Sequence, residues 1–557
     1  MTSQTVRNKH KIRPHNTHEL PDAANVPTKW VRDTAWELVQ RCDRIHTIET
    51  MLNVHPGRNG SPSFVVLCYG IMMLALQNKD LQLRQVWCTL RNLPTNQQRA
   101  LGIIDPDNDI AISYDQTTHR FARGRHIVRQ VDHQMRDADD LAVAGWLVEQ
   151  IAERSIPDDM PPPTSMMALD STDIETWGRT SFERIDGDWK PFSPTDIDAR
   201  GGHRPSRNGR KAGVNIGFDQ HFFVDTIVGN TGDPQPRFIR SCAFAPANTP
   251  AGAVTLAAMK RLHDKTHFTD LVADRGYSRL DPDNWFNHVN QLGINVTIDL
   301  IIHDPQRNRL RGIYDGALLI DGRMYSPSMP NHLRFLPAHH KDLTAAQHQQ
   351  LAEQYDLRKP YAFIRNKSIN PFQTRWIAPC QRGKIRCPLV PSSMRNPTDR
   401  PTNHPSETPD TDNKPTCCMQ TSITVPLEAF EGKLQKHAYG GTKWTAIYYQ
   451  RNQVETANSN LKYHRFSMRR GTIRLRGAYA NAILIAFAVA AVNILTAREW
   501  RRRSNMTEPH PDPTVEHERA RLARRRHQKQ AAMSKPHKTR KRNKPPNPEL
   551  NAEPSNT

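Results

Sequence analysis

Tyr448-Tyr-Gln-Arg451-Asn-Gln-Val-Glu455-Thr-Ala-Asn-Ser-Asn-Leu-Lys462 is the stretch around which the rest of the chain is organised. Wound as a helix at about 100° per residue, it places Tyr448, Arg451, Glu455 and Lys462 within roughly 60° of one another. Ile447, Val454, Ala457 and Leu461 gather in the adjoining sector. One face can therefore seat on a core. The other presents a carboxylate flanked by a phenol, a guanidinium and an ammonium. A carboxylate can ligate a hard metal ion, and its three neighbours are donors suited to phosphate oxygens. The plainer reading is a solvated helix face with an Arg–Glu pair at i,i+4. What lies upstream decides between them.

Two upstream runs end in an acid. Ser165-Met-Met-Ala-Leu-Asp170 and Phe268-Thr-Asp-Leu-Val-Ala-Asp274 each predict a buried strand with Asp at its C-terminal end. Between them, Ala212–Phe218 and Phe222–Gly229 are strand-like and joined around Asp219-Gln220, which predicts a hairpin. Thr249–His263, with Pro250 at its start, predicts a helix, as does Pro282–Leu292. Gly293–Ile302 reads as a further strand. This order predicts an α/β fold, an open mixed sheet with helices on its faces. Ligands of such sheets sit beyond the carboxyl ends of the strands, where Asp170 and Asp274 fall. Taken singly, an Asp at a strand end is more often a turn or cap former. Asp173 and Glu175 lie close enough to Asp170 to be rival ligands.

Residues 28–160 precede the sheet and are helical in pattern. Trp30–Val39 has apolar residues at three- and four-residue spacing, and Ser63–Leu76 is strongly apolar. Pro94-Thr95-Asn-Gln-Gln98 looks like a helix start with a Thr/Gln capping box. Tyr114 leads into a long helical stretch ending near Glu153. Arg84, Arg91, Arg99, Arg120, Arg123 and Arg125 suit a DNA-binding domain of helix-turn-helix type, or else are surface arginines of a packing domain. Pro157–Pro163 is a linker. Residues 303–438 break the alternation: Asp315-Gly316 and Asp321-Gly322 signal hairpins, Pro388–Pro415 is irregular, and Thr421–Pro426 is strand-like. That is the pattern of a β-rich insertion. Tyr463–Arg476 is basic, and Gly477 marks the turn into the apolar Ala478–Ala497.

The 557 residues carry 77 Lys plus Arg against 56 Asp plus Glu, a formal charge of +21. Such a surplus points to an anionic polymer, nucleic acid first and an anionic membrane surface second. The polar stretch 1–27 and the basic stretch 501–557 are expected to be disordered tails, the latter with a sequence-independent attraction to DNA. Eight scattered cysteines suit a reducing, intracellular setting, and the N-terminus has no secretory apolar run. Ala478–Ala497 is rich in Ala and contains Asn481 and Asn493, which suits a buried helix better than a membrane span. Cys380, Cys387, Cys417 and Cys418 could bind zinc, but without paired Cys-x-x-Cys arms ordinary thiols are the preferred reading.

Asp170, Asp274 and Glu455 would thus bring three carboxylates from two strand ends and one helix. Oxygen ligands suit Mg²⁺, with Mn²⁺ as a substitute, and two such ions about 4 Å apart can clamp both oxygens of an in-line phosphoryl displacement. In a basic protein, three clustered carboxylates would repel nucleic acid unless a metal neutralised them.

The arrangement resembles the DDE transposases of bacterial insertion sequences, in the group marked by Tyr-x-x-Arg-x-x-x-Glu-x-x-x-x-x-x-Lys. Tyr448, Arg451, Glu455 and Lys462 match that signature. Ala168-Leu-Asp170-Ser-Thr172 is similar to the family's first Asp motif, and Asp274-Arg-Gly-Tyr277 to its second. The likeness covers roughly residues 165–500. It implies an RNase H-like catalytic domain in two parts, 164–302 and 439–500, interrupted by the β-rich insertion. It implies metal-dependent cleavage at terminal inverted repeats and strand transfer into target DNA, with Asp170, Asp274 and Glu455 holding two Mg²⁺ ions. Tyr448, Arg451 and Lys462 would grip the DNA backbone. A homodimer on DNA and a cytoplasmic, nucleoid-associated location follow by analogy. The inner part of the insertion does not align with the family pattern, so no residue there is assigned to the Trp that some relatives stack on a flipped base. Two other readings are an RNase H-like nuclease without joining activity and a DNA-binding protein whose catalytic centre has decayed.

Overall fold

The computed structural model describes residues 26–53, 62–105, 109–185, 188–204, 213–226, 235–300, 310–337, 343–370, 372–402, 416–430 and 434–510. The expected tails fall almost wholly outside these residues.

Seven helices come first: α1 (Lys29–Arg41), α2 (Asp43–Asn53), α3 (Phe64–Leu76), α4 (Leu83–Arg91), α5 (Thr95–Ala100), α6 (Tyr114–Met135) and α7 (Gly145–Arg154). The capping box expected at Thr95 does not form. Pro94 is the N-cap, and the Gln98 amide instead donates to the carbonyls of Arg91 (2.8 Å) and Leu93 (2.6 Å). A true box starts α6, where Ser113 and Gln116 satisfy each other's backbone N–H groups. Four of the six arginines have partners within the protein, Arg99 pairing with Asp109 at the surface. Arg120 is buried against Glu49 and Asn53, Arg123 donates to the Leu52 carbonyl, and Arg125 donates to that of Arg476.

The mixed sheet is built from β1 (Met166–Glu175), β2 (Ser181–Ile185), β3 (Asp188–Phe192), β4 (Arg200–Arg204), β5 (Gly213–Asp225), β6 (Ile239–Pro246), β7 (Asp270–Ala273) and β8 (Asn295–Ile298). Helix α8 (Ala251–Thr266) joins β6 to β7, and α9 (Asn287–Gln291) precedes β8. Five strands lie in the order β6-β5-β1-β7-β8. β5 is antiparallel to both β1 and β6, while β7 and β8 run parallel to β1. β4, β3 and β2 extend the sheet from the first half of β5.

Two sequence expectations are corrected here. Asp219-Gln220 is not a turn: β5 runs unbroken through both residues, and its hairpin partner is β6, which the sequence pattern did not reveal. Asp and Gln sit in the strand because their side chains find backbone partners on and just after β6. Asp219 accepts from the Asn248 N–H (3.1 Å) and Gln220 donates to the Ala243 carbonyl (3.1 Å). Nor does β1 end at Asp170; it continues to Glu175, paired with β5 alone, because the ladder to β7 stops at Leu169–Ala273.

The insertion holds two three-stranded antiparallel sheets. The first is β9 (Leu310–Tyr314), β10 (Ala317–Ile320) and β11 (Arg323–Tyr325). Its turns place Asp315-Gly316 (φ 51° and 82°) and Asp321-Gly322 (φ 48° and 74°) in the left-handed region, the geometry that tight hairpins favour. Helices α10 (Asn331–Arg334) and α11 (Ala345–Asp356) follow. Next come β12 (Ile364–Asn370) and β13 (Gln373–Ile377), the short α12 (Thr416–Met419), and β14 (Ile423–Pro426). Cys380 and Cys387 are buried in this core without forming a disulfide, and burial together with Cys387 pushes Cys380 up to about 11. The side chains of Cys417 and Cys418 lie outside the described residues, so the four-cysteine zinc reading does too.

The chain then returns to the sheet through α13 (Thr442–Tyr448), α14 (Asn452–Ser459) and α15 (Ala478–Arg503). α15 is long and apolar enough to cross a membrane, yet 94% of its apolar window is buried inside the protein. It packs against α3, α6, α7 and β6. Helices and sheet thereby share one core, in which Leu67 and Ile71 of α3 join Phe222 and Phe244 of the sheet and Ile485 and Val489 of α15. The boundary expected near residue 160 is thus not a boundary of the core. Buried Asn493 is the polar hub of this packing: it accepts from the Ile239 N–H and donates to the Ile239 and Ala152 carbonyls and the Ser155 hydroxyl. At the helix start, Asp196 and Asp198 accept from the N–H groups of Gly477 and Ala478, where carboxylates favour the helix dipole.

Candidate active site

Strand alternation gathers the acids. Ala168 and Val272 face the core shared with α15, so Asp170 and Asp274, each two residues on, continue on that face. Their strands are adjacent and parallel, and both residues lie just past the last β1–β7 pair. α14 packs against β1 and β5 and seats Val454 and Ala457 in the same core, where Leu461 of the following turn joins them. Glu455, next to Val454 on the helix, is left at the mouth of the cleft, 45% exposed.

The segment 442–464 is helical throughout but not one regular helix. A 3₁₀ turn covers Tyr449–Arg451 and a π turn covers Asn460–His464, so the even 100° winding does not hold. Arg451 donates to Glu455 (2.9 Å) and lies 3.5 Å from Asp274. Its guanidinium also sits over the Tyr448 ring, 5.7 Å from the centroid, while Tyr448 stacks on Trp444 at 4.6 Å. Lys462 does not join this group. It pairs with Asp173 (3.0 Å), whose cross-strand neighbour is Asp219.

Burial raises the Asp170 carboxyl to about 7, and the charges of Asp274 and Glu455 push the same way; the Ser171 N–H and Arg451 oppose them. Burial works against the Arg451 charge, but Asp274, Tyr448, Glu455 and Asp170 outweigh it and hold its pKa above the ordinary value. Burial likewise pushes the Tyr448 phenol up. Three residues that sequence reasoning missed complete the site. Asn458, one helical turn beyond Glu455, donates to Asp170 (3.2 Å). Buried His221 and Tyr277 bond each other at 2.7 Å, with burial pushing the imidazole down to about 4, and Tyr277 feels the charges of Asp170, Asp219 and Asp274. Only Tyr277 had a signal, its place in the Asp-Arg-Gly-Tyr motif.

Among the described residues, no three of His, Cys, Asp or Glu are gathered closely enough to hold a metal ion. The Arg451 guanidinium is the cation bridging Asp274 and Glu455. The donor set nonetheless fits a hard divalent ion. It is oxygen-only, two of its members already share a cation, and the third has its pKa raised first by burial and then by the charges of Asp274 and Glu455. No family model matches the chain, and no curated protein matches it in sequence.

Proposed function

We propose that this protein is a DDE transposase that cuts DNA at the ends of a mobile element and joins them to a target. The observation that carries the reading is the approach of three acids at one sheet end: Arg451 pairs with both Asp274 and Glu455, and buried Asp170 on the neighbouring strand feels the charges of all three. The strand order β6-β5-β1-β7-β8, with β5 alone antiparallel, supports an RNase H-like catalytic fold. Asp170, Asp274 and Glu455 would hold two Mg²⁺ ions, with Mn²⁺ as a substitute. Bound there, the metal would supply Lewis-acid neutralisation of a reacting phosphodiester.

The chain's own residues do the rest. Arg451 is already poised between two acids and has donors to spare for a phosphate oxygen. Tyr448, held flat on Trp444, fixes where that guanidinium stands. Asn458 orients the Asp170 carboxylate through its amide. Lys462 would reach DNA by leaving Asp173. A homodimer on DNA, a cytoplasmic nucleoid-associated location, and DNA attraction by the basic stretch after residue 510 belong to the same proposal. The burial of α15 within the fold supports a protein without a membrane span.

The test is a cleavage and joining assay on a plasmid carrying the gene with its flanking DNA. We expect Mg²⁺-dependent cuts at flanking inverted repeats and covalent joining of the freed 3′ ends to a second plasmid. Cutting without joining would identify a nuclease instead. Binding without cutting in either metal would identify a decayed enzyme.

A further inference from the structure

At the far end of β7 from Asp274, a cavity of about 410 Å³ opens between the start of β8, the insertion and the start of α13. The four-residue strand separates it from the carboxylate cleft by about 13 Å. Its lining includes Arg323, Lys359, Arg365, Lys384, Lys436 and Lys443, against one carboxylate, Asp356. Lys359 pairs with Asp356 and Lys436 with Asp270, each at 2.7 Å. Among the described residues, no carboxylate stands within ion-pair distance of Arg323, Lys384 or Lys443.

The most deeply buried cation keeps one donor unpaired. Arg323 donates to the carbonyls of Gln435 and Lys436, but its Nε is buried without a partner. Burial lowers the Arg323 pKa; burial and the nearby Arg323 charge lower that of Arg365. Burial, then Lys436, Arg323 and Lys443, lower that of His437 on the same wall. Like charges gathered in a concavity raise the free energy of the empty protein, and a multiply charged anion offsets that cost. The volume lies in the range of ordinary ligand sites.

We propose that this cavity is a binding site for a phosphate-bearing polyanion. Two sources share that chemistry, the backbone of a DNA strand running past the insertion and a free polyphosphate or nucleotide. The DNA source rests on the transposase reading; the site itself does not.

Calorimetric titration of the full chain with tripolyphosphate tests it. Lys384 and Lys443 are exposed, so the Lys384→Ala/Lys443→Ala double variant keeps the fold. We expect it to bind roughly tenfold more weakly, a loss of about 1.4 kcal/mol. Arg469→Ala/Arg470→Ala, which removes the same charge elsewhere, should stay near the wild-type affinity, as should Glu455→Gln. Equal losses in both double variants, or no binding by the wild type, would overturn the proposal. If a short duplex of arbitrary sequence displaces tripolyphosphate and itself binds the Lys384→Ala/Lys443→Ala protein more weakly, the ligand is a DNA strand. If ATP displaces it and the duplex does not, the ligand is a free nucleotide. Neither result depends on cleavage, so failure of the catalytic assignment leaves this test intact.

Discussion

Arg451 and Asp274 meet at 3.5 Å, and the same guanidinium holds Glu455 at 2.9 Å. One cation thus tethers the acid of a strand end to the acid of a helix. Arg451→Ala leaves two carboxylates facing each other beside a third. Because Glu455 is nearly half exposed, water screens part of the repulsion, and the expected stability loss without metal is about 1–2 kcal/mol. Chemical denaturation with and without Mg²⁺ checks this: the ion should restore most of the loss. On DNA the variant should bind more weakly, with a salt slope shallower by about one. An unchanged slope would remove Arg451 from the phosphate contacts.

Glu455→Gln keeps the shape of the side chain and one acceptor oxygen and deletes its charge. Cleavage and joining should vanish while binding to element ends survives, read by a gel shift beside the plasmid assay. Normal cutting by this variant would end the assignment of Glu455.

Asp170 gives a pH signature in the metal-free protein. Its folded pKa, about 7, lies above the unfolded value, so the folded state holds a proton that the unfolded state releases. Its contribution to stability is present at low pH and is lost as pH rises from about 4 through about 7. Asp170→Asn removes this dependence. Between pH 5 and 8 the wild type should lose about 1–3 kcal/mol more than the variant in denaturant titrations. Parallel pH profiles would mean that Asp170 is ionised in the cleft throughout.

Lys462 stands between Asp173 and Asp219, which face each other across the β1–β5 ladder. Lys462→Ala should cost about 1 kcal/mol through cross-strand repulsion, and Asp173→Asn in the same chain should restore it. If DNA binding recovers along with stability, the ammonium acts on the sheet rather than on phosphate.

Asn493 is buried with four hydrogen bonds that tie α15 to α7 and β6. Asn493→Leu strands the Ile239 N–H and carbonyl, with an expected loss of about 2–4 kcal/mol in chemical denaturation. A loss below 1 kcal/mol would show that the ladder re-forms these bonds locally.

The sequence announced most of the cleft because apolar runs ending in Asp and a spaced four-residue pattern are local signals. It misread β5, since Asp219 and Gln220 look like turn formers until Asn248 and Ala243 supply their partners. It placed Lys462 beside Glu455 by assuming even helical winding, which the 3₁₀ and π turns break. Thr95 and Gln98 matched a capping pattern that Pro94 and the carbonyls of Arg91 and Leu93 override. Arg120 looked like a surface cation because its partner, Glu49, is far away in the chain. Each miss comes from a contact between distant residues that no local window contains.

The burial of α15 has a consequence for biosynthesis. The axle on which the seven N-terminal helices turn leaves the ribosome after nearly everything it supports. Until Ala478–Ala497 emerges, α3 and α7 can pack on their earlier neighbours, but the sides that meet α15 stay uncovered. A messenger broken before codon 478 would therefore yield aggregation-prone fragments rather than a free-standing helical module.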